Sequence, residues 1–329
     1  MNKSEIVERY LTAVPKDYPT LTAAKDLRKM YPDIFASPES ARTAVRYVRG
    51  EAGDKNREKR KDKKEFFPEF KSLKNKPTIP PPYRIKNPGK YLVIGDTHIP
   101  FHHQKSFDTA VNFGLQKGCK KLFINGDWAD NTAFSRWFKN PRNLTPAQDL
   151  EDIKIMTEEI GKLFDEKYFK VGNHDQWWDN WIIKISTAAL PAYQFPKFSF
   201  FENIELDKNG FEIIEDMQHA FLGKLPIAHG HELGRRVYSP VNPARGAMQR
   251  VYDNIVVNHW HRASSHPQKL GIKQKVHIAR SIGCLCQLEA NYQSFTEWMH
   301  GFAIVELEEN GDYLFYNYII TDQGKVVVA

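Results

Sequence analysis

The chain has 329 residues, 41% of them hydrophobic and 26% charged, with a net charge of +7, a make-up that suits a globular protein with one large domain and a smaller one. No run reaches the roughly 20 unbroken apolar residues of a membrane helix, and the N-terminal MNKSEIVERYLTAV is charged where a secretory leader is apolar. Three cysteines, Cys119, Cys284 and Cys286, do not make a disulfide framework, so the expectation is a reducing, cytoplasmic setting away from membranes.

The charge is unevenly spread. Residues 1–88 hold 21 Lys and Arg against 12 Asp and Glu, whereas the remainder holds 26 against 28 and all 12 histidines. A basic part without histidine and a near-neutral part rich in it predict two domains with different tasks.

Residues 1–50 read as three short helices. The first covers about Glu5–Val14. The second covers about Leu21–Tyr31, with Thr20 or Thr22 as its N-cap. The third is capped by Ser37, carries Pro38 in its first turn and ends at Gly50. That third helix carries an apolar stripe of Ala41, Ala44, Val45 and Val48, and Arg42, Arg46 and Arg49 lie along one edge of the helix. Residues 51–64 are a Lys/Arg-rich run and residues 77–89 are rich in proline. Together 51–89 read as a connecting arm.

From residue 90 the pattern changes. Apolar runs at Tyr91–Ile94, Leu122–Ile124 and Tyr168–Val171 alternate with helical stretches at about Gln104–Gln116 and Pro146–Glu166, predicting an α/β layered domain over 90–329. Ile227–Ala228 and Ile255–Val257 are two further apolar runs. The tail alternates apolar and polar residues around Asn310-Gly311, a hairpin signal.

A polar cluster follows each of five apolar runs: Asp96-Thr97-His98, Asp127-Trp128-Ala129-Asp130, Asn173-His174-Asp175, His229-Gly230-His231 and His259-Trp260-His261. Loops after the strand ends of an open α/β sheet converge on one crevice. Carboxylates, an amide and imidazoles without thiolate suit Mn, Fe, Zn or a similar first-row ion rather than a structural thiolate zinc site. The set exceeds the needs of one tetrahedral ion, and two ions sharing a carboxylate would use it.

The ordered series GDTH, GDWAD, GNHD, HGH and NHWH resembles the calcineurin-like metallophosphoesterase superfamily over residues 91–265. The resemblance implies a four-layer α/β/β/α sandwich behind a small helical domain, and two divalent metal ions, with Mn2+ favoured over Fe, Zn and Ni. It implies Asp96 and His98 on the first metal, Asp127 as the bridge, and Asn173, His229 and His259 on the second, with His261 returning to the first. His229 is preferred to His231 because it precedes glycine. His174 is implied as the catalytic histidine assisting the leaving group, oriented by Asp130. Asn258 replaces a glycine at a non-ligand position, read as a minor change.

Asn131 stands where protein phosphatases of this superfamily carry a phosphate-clamping arginine. That difference, with GNHD, is similar to the nuclease and phosphodiesterase branches. His102 and His103 resemble a form seen in phage and prophage members, and are read as loop or substrate-facing residues. Trp128, Trp177, Trp178 and Trp181 are candidates for stacking on a base or for packing. Cys284 and Cys286 alternate on what reads as a strand, so they share a face and read as core. The basic N-terminal helices resemble a helix-turn-helix module with a phosphate-binding arm, which makes nucleic acid, DNA foremost, the expected partner; protein docking is the other reading. The function expected is metal-dependent hydrolysis of phosphodiester bonds in nucleic acid, with phosphomonoester hydrolysis as the alternative.

Overall fold

The structure, a computed structural model, describes residues 2–53, 80–136, 144–185, 198–234, 241–272, 274–289 and 295–329. Most of the predicted arm, residues 54–79, lies outside these. The chain divides into two compact units, Met1–Lys76 and Pro77–Ala329.

The first unit contains α1 (Lys3–Ala13), α2 (Thr20–Met30) and α3 (Pro38–Val48). Asn2 and Glu5 cap α1 reciprocally, so two backbone N–H groups of the first turn find partners locally. Ser37 caps α3 with Pro38 behind it, and Gly50 closes the helix at φ 70°, a conformation that favours glycine. The caps proposed for α2 are absent. The helix starts after Pro19 without a side-chain cap, and Thr20 turns its hydroxyl to Arg49 instead. Ile6, Val7, Ala23, Ala24, Leu27, Phe35, Ala41 and Val45 form a small core of their own. Beside it the Tyr10 and Tyr18 hydroxyls both donate to Asp26.

The second unit runs β1 (Tyr83–Ile85), β2 (Gly89–Ile94), α4 (Gln104–Gln116), β3 (Lys121–Asn125), α5 (Pro146–Gly161), β4 (Glu166–Lys170), α6 (Trp177–Ile185), α7 (Phe200–Asn203), β5 (Phe211–Ile214), β6 (Ala220–Leu222) and β7 (Leu225–Ile227). It continues α8 (Pro243–Val251), β8 (Ile255–Val257), β9 (Ser264–Leu270), β10 (Lys275–Ser281), β11 (Gly301–Leu307), β12 (Tyr313–Ile320) and β13 (Val326–Val328). The strands form a large sheet, β13-β12-β11-β2-β3-β4-β5, and a small one, β1-β6-β7-β8-β10-β9.

Both faces of the central strands β2, β3 and β4 are buried toward their C-terminal ends, which is why these strands read as continuous apolar runs. Leu92, Ile94, Leu122, Ile124 and Phe169 face α4 and α5. The alternating Tyr91, Val93, Phe123 and Tyr168 face Ala220, Leu222, Leu225, Ile227 and Val256 of the small sheet. On the far side of the small sheet, Ala244, Ala247 and Met248 of α8 cover Ile255, Val257 and Ala279. The layers are therefore α/β/β/α, as the resemblance implies, and β2, β3, β4 and β5 are parallel, with their C-terminal ends together.

Three sequence expectations need correction. Tyr83–Ile85, inside the stretch read as an arm, pairs with Ala220–Leu222: proline excludes helix there but permits an edge strand. The helix expected to reach Glu166 ends at Gly161, and Glu166 opens β4. Cys284 and Cys286 sit in isolated bridges with His300 and His102 rather than in a regular strand.

Candidate metal centre

The five polar clusters lie on the loops that leave β2, β3, β4, β7 and β8. Five of the seven candidate ligands take a left-handed backbone: Asp96 (φ 50°), His98 (51°), Asp127 (50°), His259 (71°) and His261 (58°). Such conformations cost about 1–3 kcal/mol each and persist where the surroundings over-determine them. The surroundings here are explicit. Asp175 is fully buried and accepts from the backbone N–H groups of Asp127 (2.9 Å), Ala129 (3.1 Å) and Gly172 (2.9 Å), tying the loops after β3 and β4 together. Gly172 and Gly126 permit the close approach. A Cβ on Gly172 would lie 2.3 Å from Asp127 Oδ1, and one on Gly126 2.5 Å from His229 Nδ1.

Hydrogen bonds fix which imidazole nitrogens face inward. His229 Nδ1 donates to the Asn125 carbonyl at 2.7 Å, leaving an Nε2 lone pair 3.0 Å from Asp127 Oδ2 and 3.8 Å from Asp96 Oδ1. His98 Nδ1 donates to Asp130 Oδ1 at 3.1 Å, so its Nε2 turns to His261 Nε2 at 3.2 Å. His261 Nε2 is 3.6 Å from Asp96 Oδ1. Asp127 shares one group of convergent ligand atoms with His98 and His174 and another with His229 and His259, the place a bridging carboxylate would occupy. Asp96 Oδ1, Asn173 Oδ1 and His229 Nε2 are buried without a hydrogen bond. Three buried electron-pair donors without a hydrogen bond, two of them (Asp96 Oδ1 and His229 Nε2) 3.8 Å apart, fit divalent cations.

The electrostatics agree with that fit. Burial opposes charge on His98 and His229, but His98 is pushed up to about 9 by Asp130, Asp127 and Asp96, and His229 to about 10 by Asp127 and Asp96. Protons take the positions of positive charge when nothing else does. His259 is held down to about 3 by burial and by His229, and burial likewise holds His261 neutral, the form in which imidazole binds a metal.

His174 stands beside this centre. Its Nδ1 donates to the backbone carbonyl of Asp130 at 2.7 Å, and its own N–H is held by Asp127 Oδ1 at 2.8 Å. Burial holds it down to about 4. The Asp130 carboxylate lies 3.7 Å from His174 Nδ1 and spends its hydrogen bonds on His98 and Thr132. The expected pairing of Asp130 with His174 therefore runs through the main chain, while the side chain serves His98. His231 Nε2 bonds Asp216 at 2.8 Å, so of the two histidines around Gly230 it is His229 that meets Asp127.

Sequence reasoning missed several supports. Lys170, fully buried on β4, lies 3.1 Å from Glu232 Oε1, and Glu232 accepts from the N–H groups of His229 (3.3 Å) and Gly230 (2.7 Å). Burial would raise Glu232, but Lys170, His231 and His229 outweigh it and hold it at about 2. Asn258, read as a minor change, is fully buried, accepts from Asn125 at 2.8 Å and donates to the Gly283 carbonyl at 3.2 Å. A lysine and an asparagine carry no sequence signal for such roles.

The remaining candidates separate. Trp128 is core, donating to Thr157, and Trp178 and Trp181 pack on Phe134. Trp177 lies on His174 with ring centroids 3.7 Å apart, Trp298 stands edge-on to His261 at 4.3 Å, and Trp260 flanks His259. His103 caps α4 and stacks on His300, and His102 bonds Gln104. In the first unit Arg42 and Arg46 are exposed beside Glu39 and Glu51. Arg49 is not part of that outer edge: its guanidinium bonds Thr20 Oγ1 (2.6 Å) and the Tyr18 carbonyl (2.5 Å).

The fold and centre define a phosphoesterase-type α/β/β/α domain, and the sequence comparison specifies it. The profile described as calcineurin-like phosphoesterase matches residues 89–316; the chain belongs to this family of hydrolases acting on phosphoester bonds with divalent metals. It is 25% identical over 234 residues to the Gene 54 protein of Mycobacterium phage L5, covering 67% of this chain and 89% of that one. It is 24% identical over 233 residues to the Gene 54 protein of Mycobacterium phage D29, covering 67% and 90%. Vacuolar protein sorting 29 of Cryptosporidium parvum aligns structurally at TM-score 0.39 and 16% identity, covering 74% of this chain and 97% of that one. No helix among the described residues is long and apolar enough to cross a membrane.

Proposed function

We propose that this protein hydrolyses phosphodiester bonds in nucleic acid, DNA foremost, at a two-metal centre held by Asp96, His98, Asp127, Asn173, His229, His259 and His261, with Mn2+ the favoured ion. The observation that carries the centre is the set of buried, unpartnered donors Asp96 Oδ1, Asn173 Oδ1 and His229 Nε2. When bound, divalent ions supply Lewis acidity and a water of lowered pKa. The chain does the rest. Asp130, through Nδ1 of His98, keeps Nε2 of that ring directed at the centre. The Asp130 carbonyl fixes the His174 tautomer, so that Nε2 is the nitrogen left for substrate. An anionic ester beside it favours the protonated ring, which then delivers the proton to the departing oxygen; such help is typically worth about 10²–10⁴-fold.

Three features support nucleic acid over a phosphomonoester. Asn131 occupies the position next to Asp130 without offering a cationic clamp. Trp177, Trp260 and Trp298 border the histidines and present rings on which bases stack. The outer face of α3 exposes Arg42, Thr43, Arg46 and Tyr47, and the following residues 54–79 add 10 Lys and Arg against 5 Asp and Glu, a charge pattern suited to phosphate. The test is Mn2+-dependent cleavage of labelled single- and double-stranded DNA, with Asp127→Asn as control. Cleavage lost in the variant supports the reading. Turnover of a phosphomonoester without any diester cleavage overturns its substrate class.

A further inference from the structure

Behind the centre lies a second group of metal-type ligand atoms, which shares one residue, His261, with it. Cys284, Cys286 and His261 are buried, and one ligand atom from each lies within 4.8 Å of the others. Cys286 Sγ is 3.7 Å from His261 Nδ1. The isolated bridges to His300 and His102 hold both cysteines in place. His261 thus stands between two environments. Its Nε2 faces Asp96 and His98, and its Nδ1 faces the Cys286 thiol, with Cys284 in the same group of ligand atoms.

We infer that Cys284 Sγ, Cys286 Sγ and His261 Nδ1 form a separate site for a thiophilic cation such as Zn2+ or Cd2+, and that its occupation opposes metal binding at the neighbouring centre. Two sulfurs and one imidazole are a soft ligand set, unlike the neighbouring thiol-free set of oxygen donors and imidazoles. Binding displaces the two thiol protons to solvent, leaving two thiolates on the cation. The antagonism follows from the ring. A neutral imidazole carries one proton, on Nδ1 when Nε2 binds a metal. A cation on Nδ1 requires that proton to leave or to move to Nε2, so one ring serves both sites poorly. This antagonism rests on the reading of His261 as a ligand of the two-metal centre; the thiol site does not.

The experiment titrates Cd2+ into the full chain loaded with Mn2+, following the ultraviolet thiolate-to-cadmium charge-transfer band and the electron paramagnetic resonance of released Mn2+. The expected result is a band that saturates with one Cd2+ per chain, unchanged in Cys119→Ser, abolished in the double variant Cys284→Ser/Cys286→Ser, and accompanied by release of Mn2+. The intact protein and Cys119→Ser give the band's stoichiometry and source even where the double variant does not fold. Absence of the band, or its loss in Cys119→Ser, overturns the site. A band without Mn2+ release overturns the antagonism. A chain that takes up no Mn2+ but shows the band removes the two-metal reading and leaves the thiol site standing.

Discussion

Asp130 serves two histidines through two different atoms, and the difference is measurable. Its carboxylate accepts from His98 Nδ1 and its backbone carbonyl from His174 Nδ1. Asp130→Ala removes the first and keeps the second. A carboxylate behind a ligating imidazole fixes its tautomer and raises its basicity, and losing it costs about 10–100-fold in metal affinity. Asp130→Ala is therefore expected to weaken Mn2+ binding by that factor in equilibrium dialysis, whereas His174→Ala keeps Mn2+ and loses turnover. Unchanged Mn2+ affinity in Asp130→Ala would return the carboxylate to the role first read from the sequence. Buried charges make a second contrast. Lys170→Met leaves Glu232 in the interior without its cation, a change that typically costs about 3–5 kcal/mol. The thermal midpoint of the second unit should fall, and the loop carrying His229 should lose Mn2+ affinity with it.

At the scale of elements, what was legible were the features carried by local chemistry. Ser37-Pro38 and Gly50 marked α3, Asn310-Gly311 marked the β11–β12 turn, and glycine-aspartate pairs after apolar runs marked the loops of the centre. What was hidden depended on partners distant in sequence. β1 exists because Ala220–Leu222 pairs with it, and Asp175 matters because the β3 and β4 loops need one brace. Arg49 shares a helix edge with Arg42 and Arg46 in projection, yet it reaches back to the start of α2. The three arginines should consequently behave differently. Arg49→Ala is expected to lower the stability of the helical unit by about 1–3 kcal/mol, the cost of stranding partners of a charged donor, read by calorimetry of the full chain. Arg42→Ala and Arg46→Ala should leave that transition in place. Each should reduce the salt slope of DNA affinity by about 1 if it meets a phosphate. Equal slopes in the parent and both variants would remove α3 from the proposed interface.

For the whole molecule, the balance between protons and metals at the centre couples stability to pH. In the metal-free protein His98 and His229 are raised to about 9 and about 10 because buried carboxylates surround them. A raised histidine contributes stability in full below its unfolded value of about 6.5 and loses it as pH climbs through the folded value. The metal-free protein should therefore weaken between about pH 6.5 and pH 10. The loaded protein holds neither proton, so its stability stays level over that window as far as these two groups are concerned. Metal binding needs both imidazoles neutral, so each bound proton that must be displaced lowers apparent affinity by about tenfold per pH unit below the folded value. Stabilisation by a ligand follows RT ln(1 + [L]/Kd), about 2.7 kcal/mol at 100 Kd, and so grows as pH rises. These are one linkage seen from two sides: the gap in thermal midpoint between Mn2+-loaded and chelator-treated protein should widen steadily from about pH 6.5 to about pH 8.5. Only the transition of the second unit should move, since Ile6, Leu27, Phe35 and Val45 form a core to which no centre residue contributes. A gap that stays constant with pH would mean that His98 and His229 do not carry displaceable protons in the metal-free protein over this range.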